Sequence, residues 1–481
     1  MKLMLICIDH KLRIALSELP PDVLHLIESA LEIPNIERQK QMEQGVWGWQ
    51  ALPEFVKLWE ISPQTRHLLM PRGFLMTLLS GLESMDIPWE IQDDRFFDDV
   101  PTPMGKAISL RPWQWPALES IATHAQGIWK APPGAGKTVG ILEAIRLAKT
   151  PSIVLVNTKD ILYQWQARAN TFLGDDFPVS IIGDGKVEIS DYLTIATVQT
   201  IHSRFDEFER TGFFDEMFGF VCLDECHHAT AQTYSRIVNR FSSRIRIGVS
   251  ATPDKTGDFE LAKMVLGPII HETHRDEVDS IVKPHVFKIC TDFDFEYRGA
   301  KGRRPSNYPQ LIDALIRNYR RNLLIVKSIM MNPGLHSLVL TKRLEHIDIL
   351  VNMLLSHDCD TPIYRLTGEQ TSAEREFVIK QATTSPTILF STLADEALDI
   401  PRLDSLFLAF PQRNSGLIEQ QVGRICRTHP AKRESVVYDF ADIKVGPLDA
   451  QWRSRLRNVY RANDYDVEVV TANQILDYEE S

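Results

Sequence analysis

The chain has 481 residues, 44% hydrophobic and 24% charged, which are ordinary globular values that exclude bulk disorder and a collagen-like fibre. Lys and Arg total 53 against 64 Asp and Glu, a net charge of −11, so a uniformly basic nucleic-acid coat is excluded while a local basic strip is not. The six cysteines show no framework spacing, so reduced thiols and a cytoplasmic, reducing setting are expected. No apolar run reaches the ~18 residues of a membrane span, and residues 3–8 are too short for a signal-peptide core, so no membrane association is expected.

Residues 1–103 read as an α+β accessory block. The run at 3–8 pairs naturally with 12–16 across Asp9, His10 and Lys11. Leu75, Leu78, Leu79 and Leu82 mark a helix that ends before Ile87 and Pro88. Residues 93–103 hold four aspartates and two prolines and read as a linker. From 104 to 290 the texture changes to apolar strands alternating with helices. Strands are expected at 153–156, 193–196, 220–223 and 245–249, with a helix carrying Ile161, Leu162 and Trp165 between the first two. The texture repeats over 305–446, with strands at 337–340, 387–390, 405–410 and 436–438, before a C-terminal extension at 447–481. Continuous apolar strands separated by helices imply parallel sheets covered on both faces, so two tandem α/β domains are expected.

Residues 131–138 read APPGAGKT, close to the phosphate-loop pattern, with Ala131 in place of the first glycine. Pro132, Pro133 and Ala135 complete a loop in which Gly134 and Gly136 let the backbone turn and aim N–H groups at phosphate oxygens. Lys137 supplies charge for the outer phosphates, Thr138 a hydroxyl for Mg²⁺, and the helix that follows its positive end. The strand at 220–223 delivers Asp224 and Glu225 at its carboxyl end, where such sheets bind ligands. Asp224 is assigned to the metal and Glu225 to the attacking water. Cys222, Cys226, His227 and His228 would suggest zinc, but Cys222 lies within the strand pattern and no partner cluster has finger-like spacing.

The run LDECHHA (223–229), following that loop, resembles the DExH box of superfamily 2 helicases. Other segments are similar to the family's motifs and fall in its order. They are LRPWQ at 110–114, SATP at 250–253, LTG at 366–368 with AERE at 373–376, STLADEALDIP at 391–401, and QQVGRICR at 420–427. The first segment, close to the loop, and the DECH box look most like the UvsW/XPB-like DNA helicases and restriction-type translocases, and LLMPRGFLMTLL at 68–79 is similar to segments preceding the motor in that group. The resemblance implies two tandem RecA-like parallel-sheet domains and ATP with Mg²⁺ as cofactors. It also implies Arg111 and Gln114 at the adenine, Asp399 at the ribose or in the interdomain network, Gln420 near the water or phosphate, and Arg424 and Arg427 at the γ-phosphate. His227, Ser250 and Thr252 would couple that state to the nucleic-acid face.

Residues 298–343 carry ten basic side chains against Asp313 alone, and Arg303, Arg304, Arg320 and Arg321 are the candidate phosphate contacts. The expected activity is an ATP-dependent helicase or translocase that unwinds or remodels duplex, forked or branched DNA. The alternatives are an RNA helicase and a duplex translocase subunit working with a separate nuclease. A nucleotide-gated clamp that rarely hydrolyses fits poorly with Glu225 and the arginine pair.

Overall fold

The computed structural model describes residues 3–35, 38, 41–42, 48–100, 105–227, 232–251, 259–279, 281–299, 306–331, 336–392, 400–429, 432 and 434–477. The chain divides into two compact units, Met1–Glu277 and Val278–Ser481.

The first unit begins with the expected hairpin. Strands β1 (Met4–Ile8) and β2 (Lys11–Ala15) pair antiparallel with Ile8 opposite Leu12. A small ribbon, β3 (Glu32–Pro34) with β4 (Phe55–Lys57), interrupts the chain before β5 (Glu60–Ile61), β6 (His67–Pro71) and β7 (Trp89–Asp93) complete a five-stranded sheet. Alternation decides its inner face: Met4, Ile6 and Ile8 on β1 and Leu12 and Ile14 on β2 are buried against the helices Pro21–Leu31 and Leu75–Ser84. Each fully buried aliphatic side chain contributes about 1.5–3 kcal/mol. The helices approach closely at Gly81, where a β-carbon would come within 2.3 Å of Leu26 Cδ2.

This sheet is fastened to the rest of its unit. Arg72 is fully buried and donates from Nε to Gln126 Oε1 (3.0 Å), from Nη1 to Ser243 O (2.7 Å) and from Nη2 to Arg244 O (3.3 Å). A β-carbon at the neighbouring Gly73 would lie 2.0 Å from Lys263 O, so only glycine permits this approach. The expected linker is a strap where it is described. Phe96 N–H donates to Ser242 O and its carbonyl accepts from Arg244 N–H, both 2.8 Å, and Val100 N–H donates to Lys149 O at 3.0 Å. Its lack of apolar periodicity hid this backbone pairing.

The parallel sheet of the first unit contains β8 (Gln126–Lys130), β9 (Ser152–Val156), β10 (Val179–Gly183), β11 (Lys186–Val187), β12 (Leu193–Thr197), β13 (Phe220–Asp224), β14 (Ile245–Ser250) and β15 (Ile269–Glu272). Their order is β11-β10-β12-β9-β13-β14-β8-β15, parallel throughout except for the β10–β11 hairpin. The four expected strands are here. The chain leaves β8 for β9, which lies beyond β14 and β13, and this crossover makes β13, β14 and β8 immediate neighbours.

The second unit has a fully parallel sheet of β16 (His285–Cys290), β17 (Ser337–Leu340), β18 (Ile363–Leu366), β19 (Ile388–Ser391), β20 (Ser405–Leu408), β21 (Val436–Ala441) and β22 (Val467–Thr471). The order is β18-β19-β17-β20-β21-β16-β22. Residues 285–290, grouped by the sequence with the preceding domain, pair here with β21 and β22. The stretch read as a C-terminal extension supplies the edge strand β22. Strand type was readable locally, whereas sheet membership depends on which backbone completes the ladder. Both sheets are the tandem RecA-like α/β arrangement expected from the sequence, behind the α+β block.

Candidate nucleotide site

The adjacency of β8, β14 and β13 gathers chain segments over 110 residues apart at one sheet edge. Ser250 at the end of β14 is in register with Lys130 of β8, and Asp224 at the end of β13 is in register with Val249. The phosphate loop leaves β8 there. Gly134 (φ +88°) and Gly136 (φ +82°) adopt left-handed backbone, the latter starting the helix Lys137–Ala148. Ala131 is absent from the left-handed positions, which is why a methyl is tolerated where the pattern has glycine. Its N–H donates to Ser250 O (3.1 Å), and its carbonyl accepts from Lys137 Nζ (3.0 Å).

Gln114 holds the loop from behind. Its Nε2 donates to Gly136 O (2.9 Å) and Ala135 O (3.3 Å), while its Oε1 accepts from Arg111 N–H (2.8 Å). Trp113 Nε1 also donates to Ala135 O (3.1 Å), and the Arg111 guanidinium lies 5.4 Å from the Trp113 ring centre. A β-carbon at Gly136 would come within 2.5 Å of Gln114 Nε2. The structure therefore places Gln114 and Trp113 on the phosphate loop itself. Trp115 is 47% exposed.

The acids meet this loop from β13. Asp224 Oδ1 accepts from Glu225 N–H (2.9 Å) and Oδ2 from Trp165 Nε1 (2.7 Å). Burial and then the Glu225 charge push the Asp224 carboxyl up to about 6, opposed by the Trp165 bond and Lys137. Glu225 has φ +47°, uncommon for a residue with a β-carbon and typical of functional turns. His227 Nδ1 lies 3.3 Å from Glu225 Oε2 and 3.1 Å from Ser250 Oγ, so one imidazole bridges the acid and the end of β14.

Sequence reasoning missed two contributors. Trp165 and Arg168 lie one turn apart on the helix Lys159–Leu173, and Arg168 Nη1 donates to Thr138 Oγ1 at 2.9 Å. Burial pushes the Arg168 guanidinium down, with Asp224 opposing. The periodic pattern marked Trp165 only as core, and no motif drew attention to Arg168. Cys222 and Cys226 are buried, and burial raises both thiols well above the ordinary value.

In the second unit, Gln420 and Arg424 lie one turn apart on the helix Ser415–Ile425, whose start is capped by Asn414. Arg427 follows the helix. Its carbonyl accepts from Lys432 Nζ (3.2 Å), which also donates to Leu403 O (2.6 Å) and to Ile425 O. Ser435 Oγ donates to Ile425 O at 2.6 Å, so the end of this helix is firmly held.

The basic strip requires a correction. Arg321 is 2% exposed and donates to both carboxylate oxygens of Asp442 (2.8 and 3.2 Å) and to Ala409 O (2.9 Å). It is a core ion pair and not a phosphate contact, because its helix face turns inward where a carboxylate matches it. Arg320 is exposed and pairs with Asp292 (3.2 Å), and Arg317 pairs with Glu345 (2.8 Å). His228, Thr252, Arg303, Arg304 and Asp399 lie outside the described residues.

The donor set fits a nucleoside polyphosphate with Mg²⁺: a loop with two left-handed glycines, a lysine held beside it, a threonine hydroxyl and a carboxylate at one edge. Fold and site together define a P-loop protein with tandem RecA-like domains. Residues 107–255 match the family described as the type III restriction enzyme res subunit, and residues 320–429 match the helicase conserved C-terminal domain. These matches and the helicase-named relatives support a superfamily 2 helicase with likeness to the XPB group. The chain is 33% identical over 188 residues to the DNA 3'-5' translocase XPB2 of Sulfurisphaera tokodaii, which is 39% of this chain and 41% of that protein. The chain thus matches less than half the length of that relative. It is 24% identical to the Escherichia phage T5 protein named "Probable helicase D10" across 82% of this chain and 84% of that one. Its fold is similar to that of the DNA-bound type ISP restriction-modification enzyme LlaBIII, with 16% identity, a TM-score of 0.55, and coverage of 76% of this chain and 32% of the other.

Proposed function

We propose that this protein is an ATP-dependent DNA helicase or translocase that uses Mg-ATP hydrolysis to unwind or remodel duplex, forked or branched DNA. The observation that carries the reading is the convergence of Lys137, Thr138, Asp224, Glu225 and Ser250 at the carboxyl edge of β8, β13 and β14. The two matched helicase-type domains and the DNA-translocase relative support it.

The phosphate loop and Lys137 bind and orient the polyphosphate of the substrate ATP, with backbone N–H groups as preorganised donors. Thr138 and Asp224 would hold Mg²⁺, which supplies charge neutralisation on the phosphate oxygens. Glu225 accepts the proton of the attacking water, and His227 carries its state to Ser250 at the end of β14. The resemblance assigns charge and positioning at the transferring phosphate to Arg424, Arg427 and Gln420. Adenine contact by Arg111 and Gln114, and a role for Asp399 at the ribose or in the interdomain network, belong to this reading. DNA is gripped through its backbone, so affinity falls steeply with salt.

The test is steady-state ATPase activity with no nucleic acid, single-stranded, duplex and forked DNA, and RNA, at two salt concentrations beside Glu225→Gln. Salt-sensitive stimulation greatest with forked DNA is expected, and Glu225→Gln should lose about 10²–10⁴-fold in turnover while still binding nucleotide. Stimulation by RNA alone would replace this reading with an RNA helicase. Wild-type turnover in Glu225→Gln would remove Glu225 as the base.

A further inference from the structure

The helix Ser415–Ile425 ends where the resemblance assigns the γ-phosphate arginines: Arg424 lies in its last turn and Arg427 just beyond it. The last carbonyls of a helix have no partner inside it, so what donates to them decides how firmly the following residues are held. Here three consecutive carbonyls accept from groups outside the helix. Ile425 O takes Lys432 Nζ and Ser435 Oγ (2.6 Å), Cys426 O takes Val282 N–H (2.7 Å), and Arg427 O takes Lys432 Nζ (3.2 Å). The same ammonium donates to Leu403 O (2.6 Å), in the segment that enters β20. We propose that Lys432 is a positioning residue: its ammonium fixes the backbone from Ile425 to Arg427 and thereby aims the Arg427 guanidinium for the hydrolysis step.

This role rests on the reading that places Arg424 and Arg427 at the transferring phosphate. A lysine ammonium carries three N–H donors and no acceptor, and three carbonyls receive them here, so the fit requires the protonated form. A cation at a helix C-terminus also meets the negative end of the helix dipole. The backbone N–H of Lys432 donates to His429 O (2.9 Å), which sets where the side chain starts. Burial pushes the ammonium down to about 8; Cys426 and Asp404 oppose this, and the Arg427 charge adds to it. Asp404 also faces His336, whose other charged neighbours are Arg402 and His429. Burial holds the Cys426 thiol well above its ordinary value and His336 below its own, so neither changes charge near pH 8. A deprotonated amine offers two N–H groups to three carbonyls, so one support of the arginine segment is lost as pH rises through about 8.

The experiment is steady-state ATPase turnover of the full chain with forked DNA, from pH 7 to 9.5, for wild type, Lys432→Met and Lys432→Arg. Arg427→Ala serves as reference, and ADP is titrated calorimetrically into each protein. At pH 7, Lys432→Met should lower kcat about tenfold or more, the equivalent of one charge-assisted contact, while KM for ATP and ADP affinity stay within about threefold of wild type. Wild-type kcat should fall as pH rises through about 8. Lys432→Arg, whose guanidinium stays protonated, should keep at least about a third of wild-type turnover at pH 7 and lose that fall. Wild-type kcat in Lys432→Met, or a pH profile shared by all three proteins, would overturn the proposal. So would equal losses of kcat and ADP affinity in Lys432→Met, which mark a general structural defect. Should thermal unfolding show Lys432→Met to be unfolded, the pH profiles of wild type and Lys432→Arg decide alone. Wild-type turnover in Arg427→Ala would instead sink the arginine assignment, and no turnover in wild type would sink the ATPase reading, so these failures are distinguishable.

Discussion

The two units use buried charge in opposite ways. At the edge of β13 and β8, Asp224 is buried beside the like charge of Glu225, is held by one indole and one backbone N–H, and has its carboxyl pushed up to about 6. In the second unit, Arg321 with Asp442 and Arg455 with Asp439 are bidentate pairs in the core, the latter at 2.8 and 2.7 Å. A matched pair sets the guanidinium fork against both carboxylate oxygens, so it holds elements together. In the first arrangement, burial and the neighbouring Glu225 charge both disfavour the ionised Asp224 carboxyl. Perturbed groups at a strand's carboxyl end mark chemistry, whereas matched groups between sheet and helix mark architecture.

The largest test of this contrast is Arg321→Met, which leaves Asp442 buried with Thr291 Oγ1 (2.6 Å) and without its bidentate partner. It should destabilise the second unit by about 3–5 kcal/mol, lowering its thermal midpoint by about 6–20 °C. Arg321→Met with an unchanged midpoint would deny the core role.

Asp224 should show the opposite sign. Its folded-state proton affinity is raised above the ordinary carboxyl value of 3.8, so the folded chain binds more protons than the unfolded chain between that value and about 6. Stability of the nucleotide-free protein should therefore fall as pH rises through this window, by up to about 3 kcal/mol, and remain lower above it. Asp224→Asn should abolish the fall and raise stability at pH 7. Denaturation curves at pH 4.5 and 7 that show no difference between wild type and Asp224→Asn would contradict the strained-site picture.

Gln114→Ala removes a buried amide from the phosphate loop and should weaken ADP affinity by about three- to tenfold, as calorimetry would register. Binding unchanged by this substitution would mean the loop holds its shape without the clamp. Arg320→Ala is the smallest expected change. Stability should move by under about 1 kcal/mol, since its pair with Asp292 is exposed. If Arg320 touches DNA phosphate, its loss lowers the salt slope of binding by about one unit. An unaltered slope would take Arg320 out of the basic strip.

Much of the nucleotide site was legible along the chain, because its demands are local. A tight anion-binding turn needs glycines at fixed offsets, a lysine and hydroxyl must follow at once, and an apolar strand must end where the acids begin. The parallel texture was legible for the same reason, as strands buried on both faces read as continuous apolar runs. Local reading failed where a residue's role depends on the face it meets. Arg320 and Arg321 are sequence neighbours, yet a step of one residue turns a helical side chain by about 100°. One points to solvent and the other into a carboxylate.

Only the tertiary structure decided that β16 joins the second sheet, that β22 closes its edge, and that residues 93–100 lie strapped to the first unit. It also decided that Arg72 is a buried fastener and that Trp165 and Arg168 reach Asp224 and Thr138. These are long-range matches of donor to acceptor between segments far apart in the chain. No periodicity records them, because the partner of a buried polar group is chosen by the packing of elements and not by the residues beside it. The amino-acid sequence alone determined the chemistry that the strand ends can offer. The fold determined which charges are free to use it.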